Sequence, residues 1–276
     1  MSQDVFLVLG ATGKTGRRVT ARLRAAGKTV RAASRSSEAR FDWADPTTWD
    51  DVVNGVSAVY VIAPEVPGPA HEFVSRAVAA GVRRFVLLSG RGADTWGDSL
   101  FGLDVRSAEE AVRASGVEWS ILRPTNFSQN FDDGFFHAPI MAGELVLPAR
   151  GIVEPFIDVD DISDVAVALL TEPGHAGRSY ELSGPRGLTF REATEVIARV
   201  SGRPVRYVEV SSEEFVAALV AQGYPPEVAS YGREMFDLMR RGVTAEVTDD
   251  VYRVLGRRPR DFETYVVRAA AAGAWR

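Results

Sequence analysis

Three glycines at regular spacing, Gly10, Gly13 and Gly16, come directly after an apolar run near the N-terminus. The run Val5–Leu9 has the composition of a strand buried on both faces, and the glycines open a helix that we predict to begin near Lys14. Glycine permits the tight strand-to-helix turn and lets the backbone approach a pyrophosphate closely. The first helical turn then presents free N–H groups and a partial positive charge to the phosphates. The segment therefore predicts a dinucleotide-binding site.

Other nucleotide loops fit this segment less well. A loop that binds nucleoside triphosphates requires a glycine five positions before Gly13, and that position holds Val8. A glycine-rich turn without a ligand is the remaining alternative, although the strand before it and the helix after it favour the dinucleotide. A spacing of three residues between successive glycines is typical of extended and atypical short-chain dehydrogenases.

Composition and charge exclude several other chemistries. The chain has 276 residues, a net charge of −5 and no cysteine, so disulfides, thiolate metal sites and a cysteine nucleophile are all excluded. An acidic balance without a basic stripe argues against nucleic acid as a partner. No leader segment is evident, and no apolar run reaches the length of about 18 residues that a membrane span needs. We therefore expect a cytoplasmic protein with a small-molecule substrate and neither nucleic acid nor membrane as a partner, either a monomer or a dimer.

The elements that must position the glycine loop alternate regularly in the first half of the chain. After Val5–Leu9, the predicted strands cover residues 30–34, 41–43, 58–63, 85–89 and 119–122. The predicted helices cover residues 14–26, 46–54, 69–80 and 102–115, with glycines just past their ends at 27, 55, 81 and 116. This alternation predicts an α/β fold with a Rossmann-type, doubly wound parallel sheet.

The second half of the chain is less regular. We predict strands at 145–147 and 179–182, helices at 160–170 and 190–200, and broken helices from residue 213 onward. Residues 1–130 are predicted to form an NAD(P)-binding Rossmann domain to which residues 150–185 return. Residues 131–276 are predicted to form a smaller, mixed and mostly helical region that binds substrate. The ligand is expected in the cleft between the two.

The end of the second predicted strand indicates which dinucleotide binds. NAD-specific sites place an acidic residue there to bond the ribose hydroxyls, whereas this chain has Ser34 and Arg35. A guanidinium over the 2′-phosphate makes charge-assisted hydrogen bonds worth about 1.5–3 kcal/mol. We therefore expect NADP(H) as the cofactor, with a merely solvated arginine as the alternative.

Four segments together resemble the NmrA-like branch of the atypical short-chain dehydrogenases/reductases. They are GATGKTG at 10–16, FDWADP at 41–46, FVLLS at 85–89 and WSILRPTNF at 119–127. Within that branch the chain is similar to agroclavine-dehydrogenase-like proteins of ergot alkaloid synthesis and to NADPH:quinone oxidoreductase-like proteins. The resemblance covers essentially the whole chain and implies a reductase fold with bound NADP(H), without fixing the substrate.

The resemblance also implies which residues contact the cofactor. The pyrophosphate would be held by Gly10, Ala11, Thr12, Gly13, Lys14, Thr15 and Gly16, and the 2′-phosphate by Ser34 and Arg35. Asp42 and Trp43 would flank the adenine, and Ala63 and Pro64 would line the ribose. Ser89 and Gly90 would end the fifth strand, and Pro124, Thr125, Asn126 and Phe127 would pack against the nicotinamide.

The chain departs from many short-chain dehydrogenases in the group that protonates the substrate. Their Tyr-x-x-x-Lys pair cannot exist here, because Lys14 and Lys28 are the only lysines and Gly10 and Arg24 stand four residues before them. A general acid contributes about a hundredfold to ten-thousandfold in rate. We therefore expect a reductase for acceptors that hardly need a proton, such as an iminium, a quinone or an activated alkene, with turnover nearly independent of pH around neutrality. The alternative is a redox-sensing regulator of the NmrA type that binds NADP(H) without catalysis.

Remaining candidates for chemistry are few. We expect no metal site, because His71, His137 and His175 are scattered, and we expect the acidic run at 158–162 to cap a helix rather than bind Mg²⁺. Candidate catalytic residues are Ser89, Asp104 and His137. Bulky residues that could line the substrate site are Phe135, Phe136, Tyr224, Tyr231, Met235 and Phe236.

Overall fold

Eleven strands and eleven α-helices are present in the computed structural model, which describes residues 4–64, 68–96 and 102–276. The strands are β1 (Val5–Leu9), β2 (Thr29–Ser34), β3 (Ala39–Arg40), β4 (Ala58–Ile62), β5 (Arg84–Leu88), β6 (Glu118–Pro124), β7 (Glu144–Leu147), β8 (Val153–Glu154), β9 (Arg178–Leu182), β10 (Leu188–Thr189) and β11 (Arg206–Glu209). The helices are α1 (Lys14–Ala25), α2 (Trp49–Val53), α3 (Pro69–Ala79), α4 (Leu103–Arg113), α5 (His137–Met141), α6 (Val159–Thr171), α7 (Phe190–Ser201), α8 (Ser212–Ala221), α9 (Pro226–Arg240), α10 (Asp250–Leu255) and α11 (Phe262–Ala271).

Seven strands form one parallel sheet in the order β3-β2-β1-β4-β5-β6-β9. The chain moves outward from β1 to β3, then crosses back to place β4 on the other side of β1. This reversal between β1 and β4 creates the crevice where doubly wound sheets bind their ligands, outside the carboxyl ends of the strands. The predicted fold class is confirmed.

Both faces of the sheet are covered, as the apolar run at β1 requires. Leu7 and Leu9 pack into a cluster with residues of α2, α3 and α4, while Phe6 and Val8 pack into a second cluster with residues of α1 and α6. These four β1 side chains are at most 5% exposed. Their burial on both faces explains why the strand is continuously apolar rather than alternating.

The second half adds two small sheets and most of the remaining helices. Strands β7 and β11 pair in parallel, and β8 pairs with β10 in antiparallel fashion. A third apolar cluster fills this region, and its phenylalanines 131, 156 and 190 contact one another edge to face or tilted. Strand β9 joins the large sheet beside β6. The predicted division into two domains near residue 130 stays a prediction.

One predicted strand is wrong. Residues 41–43 were expected to be extended, but the strand in this region is β3, two residues earlier. The Asp42 carboxylate accepts a hydrogen bond from the N–H of Ala44 and turns the chain. Phe41 and Trp43 instead pack edge to face with Phe73. An aromatic cluster inside a turn therefore has the same apolar pattern as a short strand.

The acidic run at 158–162 caps a helix, as expected. Asp158 is the N-cap of α6 and accepts a hydrogen bond from the N–H of Asp160 at 2.9 Å. The short strands β8, β10 and β11 were not predicted, since two to four residues carry too little pattern to recognise. Within the described residues, none of the helices is both long enough and apolar enough to cross a bilayer.

Candidate active site

The glycine loop between β1 and α1 is shaped by close backbone contacts. Gly10 has φ +61°, a conformation that favours glycine. A Cβ at Gly16 would lie 2.2 Å from the carbonyl oxygen of Gly10, so α1 can approach the end of β1 only with glycine there. At Gly13 a Cβ would lie 3.2 Å from the same oxygen. Backbone packing at Gly16 and the conformation of Gly10 therefore favour glycine at these two positions whether or not a ligand is bound.

The N-terminus of α1 fits a bound phosphate. Its N-cap, Gly13, has no side chain to accept from the first-turn N–H groups, and no acidic residue lies in the first turn. Thr12 and Gly13 are exposed at the surface of the loop. Free N–H groups and the positive end of the helix dipole therefore face open space at the carboxyl edge of the sheet.

Lys14 connects the start of α1 to the other side of the crevice. Its Nζ donates to Asn130 Oδ1 at 3.0 Å, and one turn later Arg17 pairs with Asp133 at 2.8 Å. Burial lowers the pKa of the Lys14 amine, although the charges of Asp133 and Asp132 partly oppose this. The lysine thus provides a partly desolvated positive charge next to the glycine loop.

The residues predicted to bind the 2′-phosphate lie where β2 ends. Ser34 is buried, and its hydroxyl lies 2.6 Å from that of Ser37. Arg35 is exposed. Because β2 pairs with β1, which borders the reversal of strand order, Arg35 follows the carboxyl end of a strand close to the crevice.

The predicted adenine and ribose contacts also lie at this edge of the sheet. Trp43 donates from its indole N–H to the carbonyl oxygen of Ile62 at 3.2 Å, which fixes the ring against the end of β4. Asp42 lies in the turn before it, and Ala63 and Pro64 directly follow β4.

A cavity of about 260 Å³ opens beyond the carboxyl ends of β5 and β6. Seven residues predicted to bind cofactor line it: Lys14, Ser89, Gly90, Pro124, Thr125, Asn126 and Phe127. Met235, predicted to line a substrate site, is also in its wall. The lining residues that were not predicted are Arg91, Trp96, Asn130, Leu238, Met239 and Thr244. Among the described lining residues there is no tyrosine, histidine, aspartate or glutamate.

The hydroxyl of Ser89 is hydrogen-bonded to a buried ion pair beneath the cavity, formed by Glu109 and Arg123. Ser89 Oγ donates to Glu109 Oε1 at 2.5 Å, and Arg123 binds both oxygens of the same carboxylate at 2.7 and 2.8 Å. Burial acts to raise the pKa of Glu109, but the hydrogen bonds from Arg123 and Ser89 outweigh it and hold the pKa below its usual value. The hydroxyl proton of Ser89 is thus held in a hydrogen bond to the Glu109 carboxylate, which stays ionised.

A second carboxyl group, that of Glu154, lies behind the cavity wall and forms no ion pair within the described residues. Glu154 is completely buried, and its Oε1 accepts from the N–H of Asn126 at 2.9 Å while its Oε2 lies 2.5 Å from Thr244 Oγ1. Burial raises the pKa of Glu154 to about 7, against the opposing hydrogen bonds from Thr244 and Asn126 and the charge of Arg91. A substantial fraction of Glu154 is therefore a neutral acid at neutral pH.

The other two candidate catalytic residues do not line this cavity. His137 lies on α5, where its Nε2 contacts the carbonyl oxygen of Ala274 at 2.9 Å. Asp104 lies in the first turn of α4 near Tyr231, and partial burial followed by the Asp104 charge raises the pKa of that tyrosine. Neither Asp104 nor His137 therefore contributes a side chain to the wall of the cavity.

Most of the bulky residues proposed for the substrate site have other positions. Phe136 and Phe236 belong to the apolar core of the second half, whereas Phe135, Tyr224 and Tyr231 are exposed. Arg91 could have been found from the sequence, because it follows the predicted end of β5 by two residues. The residues of α9 and Thr244 carry no such local signal.

Comparison with known proteins identifies the family of this chain. Residues 10–173 match the NAD(P)H-binding family. The chain is 35% identical to the (4-alkanoyl-5-oxo-2,5-dihydrofuran-3-yl)methyl phosphate reductase of Streptomyces griseus over 98% of this chain and 99% of that protein. It is 29% identical to the agroclavine dehydrogenase of Claviceps fusiformis over 95% of this chain and 96% of that one.

Solved structures agree on the fold. The triphenylmethane reductase of Citrobacter sp., solved in complex with NADP(H), superposes with a TM-score of 0.77 at 23% identity, covering 96% of this chain and 99% of that one. The glycine loop, the uncapped start of α1 and the crevice at the sheet reversal are the parts of this fold that receive a dinucleotide. The chain therefore belongs to the NAD(P)H-binding family, as an NAD(P)H-dependent reductase of the NmrA-like atypical short-chain dehydrogenase/reductase group.

Proposed function

We propose that the protein uses NADPH to reduce a small acceptor that is already electrophilic, such as an iminium, a quinone or an activated alkene. The observation that carries the proposal is the cavity lining, whose described part offers no tyrosine, histidine or carboxylate. A simple ketone becomes a localised alkoxide when it accepts hydride, and it needs an acid of near-neutral pKa in direct contact with its oxygen. An iminium develops no negative charge, and a quinone or activated alkene delocalises it.

NADPH would lie across the carboxyl edge of the sheet. Residues 10–16 and the N-terminus of α1 would hold the pyrophosphate, since the loop backbone is open and α1 has no side-chain cap. Ser34 and Arg35 would hold the 2′-phosphate. Arg35 suits this role because its exposed guanidinium makes no hydrogen bond or ion pair with the described residues.

The remaining cofactor contacts follow the ends of the strands. Asp42 and Trp43 would flank the adenine, and Ala63 and Pro64 would line its ribose. Ser89, Gly90 and residues 124–127 would receive the nicotinamide, because they form the sheet side of the cavity. When bound, the nicotinamide supplies the hydride.

The protein's own contribution to rate would be placement and exclusion of water. Phe127, Met235, Leu238 and Met239 give the cavity an apolar lining around the acceptor. Holding the two reactants in a productive orientation is worth up to about 7–11 kcal/mol in favourable cases. Such a site needs little acid–base machinery when the acceptor is activated.

The names of the relatives support an activated acceptor without identifying it. One relative is a reductase of a 5-oxo-2,5-dihydrofuran phosphate, another is an agroclavine dehydrogenase, and a third is an NAD(P)H azoreductase of Xenophilus azovorans. These substrates differ greatly in shape. We infer that the shared part of the family binds the cofactor, and that the acceptor is chosen elsewhere in the cavity.

The test is a side-by-side assay of a cyclic iminium, a quinone, an enone and an unactivated ketone, each with NADPH. We expect turnover of one or more of the first three and none of the ketone. Efficient reduction of the ketone would contradict the proposal. Tight binding of NADPH with no turnover of any acceptor would instead support a regulator.

A further inference from the structure

Three hydroxyl groups line the cavity among the residues that the structure describes, and only one of them is hydrogen-bonded to a group that could return a proton. Ser89 donates to Glu109, and Thr125 donates to the carbonyl oxygen of Pro155 at 2.7 Å. Neither partner carries a proton to give back, since a carbonyl oxygen has none and Glu109 is kept ionised by Arg123. The third hydroxyl, on Thr244, is bonded to the carboxyl group of Glu154.

The surroundings of Glu154 keep this carboxyl group isolated from water. It has no exposed surface, and its second oxygen is fixed by the N–H of Asn126. The charged group that faces it is Arg91, whose own charge is shared with Glu181 at 3.3 Å and Glu246 at 3.7 Å. Within the described part of the chain, Glu154 therefore has no cationic partner as close as the one that keeps Glu109 ionised.

In its acid form, Glu154 changes what Thr244 can do. The proton on Oε2 then lies in the 2.5 Å contact, so Glu154 donates and Thr244 Oγ1 accepts. The hydroxyl proton of Thr244 is released from Glu154 and is available to a group in the cavity. Lys14 is the other described lining group that carries a transferable proton, and its Nζ is bonded to Asn130 beside the predicted pyrophosphate site.

We propose that Thr244 donates a proton to the reduced acceptor and that Glu154, acting through Thr244, replaces it. The step is balanced: hydride from NADPH adds to the acceptor carbon, and the electron pair of the multiple bond moves to the acceptor's oxygen or α-carbon. That atom takes the hydroxyl proton of Thr244, Thr244 takes the Glu154 proton, and NADP⁺ and the Glu154 carboxylate remain. After the product has left, a proton from solvent in the cavity returns to the carboxylate through the hydroxyl of Thr244 before the next cycle. Thr244 is then a catalytic residue and Glu154 a positioning and proton-supplying residue.

The proposal rests on the proposed function and narrows its substrate class. Acceptors that gain a negative charge, such as enones and quinones, use the proton, whereas an iminium does not. Turnover of an enone should therefore fall as pH rises through about 7, where Glu154 loses its proton. This replaces the pH-independent turnover expected from a sequence in which no acid was apparent.

The experiment compares an enone with a cyclic iminium as acceptors, using Thr244→Val, Thr244→Ser and Glu154→Gln. Thr244→Val keeps the shape of the side chain and removes the hydroxyl, so the enone should lose about a hundredfold more kcat than the iminium. Thr244→Ser keeps the hydroxyl and should restore most of the enone rate. Glu154→Gln should abolish the fall of enone turnover around pH 7. Equal losses for both acceptors, or an unchanged pH profile, would overturn the relay.

A second readout does not depend on turnover. The infrared spectrum of the protein should contain a carboxylic acid C=O band that titrates near pH 7 and is missing from Glu154→Gln. If that band is absent while the wild type reduces the acceptors, the relay fails and the proposed function stands. If the band is present but no acceptor is reduced at any pH, the proposed function fails, and the relay is overturned with it.

Discussion

Replacing Glu154 with glutamine should make the protein more stable at neutral and alkaline pH. The pKa of this carboxyl group is raised by burial to about 7 in the folded protein, compared with a usual value of 4.5. The amide keeps the size of the side chain, accepts from the N–H of Asn126 and donates to Thr244. It carries no charge at any pH, so it avoids the cost of burying a carboxylate.

The size and direction of the effect follow from the two pKa values. Below pH 4.5 the carboxyl group is protonated in both states, and its stabilising effect is fully present. Between 4.5 and 7 the unfolded chain has released this proton and the folded protein still holds it, so wild-type stability falls by about 1.4 kcal/mol per pH unit. The loss reaches about 3 kcal/mol near pH 7 and stays constant above it.

The assay is urea unfolding of wild type and Glu154→Gln at several values between pH 4.5 and 8.5, without NADPH because bound ligand shifts stability. Other titrating groups are common to both proteins, so the difference in unfolding free energy isolates Glu154. That difference should move by about 3 kcal/mol in favour of glutamine as pH rises to 7. A difference that stays constant over this range would show that Glu154 is ionised when folded, and the reasoning would be refuted.

Three further substitutions test the rest of the site. Arg35→Ala should lower the ratio of NADPH to NADH affinity about tenfold to a hundredfold, and an unchanged ratio in fluorescence titrations would contradict the assignment. Gly16→Ala should destabilise the protein and weaken NADPH binding, because its Cβ would lie 2.2 Å from the carbonyl oxygen of Gly10; unchanged circular dichroism melting and affinity would argue against this packing. Glu109→Gln should cost about 1–3 kcal/mol at pH 7, because Arg123 and Ser89 lose a buried carboxylate and Arg123 is left with Asp94 and Glu181 as partners. That cost should shrink as pH falls below 4.5, because the unfolded wild-type chain then takes up a proton at Glu109 while the folded carboxylate, with its lowered pKa, stays ionised, and a pH-independent cost in denaturant titrations would be inconsistent with an ionised Glu109.

The parts of the site that were predictable depend on local pattern. The strand, glycine loop and helix at residues 5–25 are contiguous, so composition alone places them. Ser89 follows β5 and Pro124 ends β6, two neighbouring strands of a parallel sheet, and the carboxyl ends of parallel strands meet at one edge. The cavity lining from these segments could therefore be named before the structure was known.

The parts that were not predictable depend on distant contacts. Glu154 and Thr244 are 90 residues apart, and β8, which carries Glu154, has two residues. Nothing near either residue indicates that one is buried behind the other. The protonation of Glu154 depends on its burial and on the lack of a close arginine or lysine among the described residues, and both are properties of the folded chain. At residues 41–43 a local apolar pattern predicted a strand where the chain forms a turn. The pattern arises there because Trp43 packs inside an aromatic cluster.

The two sides of the cavity differ in how well their residues tolerate substitution. The sheet side is built from hydrogen-bonded strand ends within residues 10–173, the part of the chain that matches the family. The facing side comes from Met235, Leu238 and Met239 on α9, well beyond residue 173. A helix attached by side-chain packing tolerates exchange of its inward residues without disturbing strand register. Randomising these three positions is therefore a direct route to new acceptors in laboratory evolution, because the cofactor would remain bound by segments that the library leaves intact.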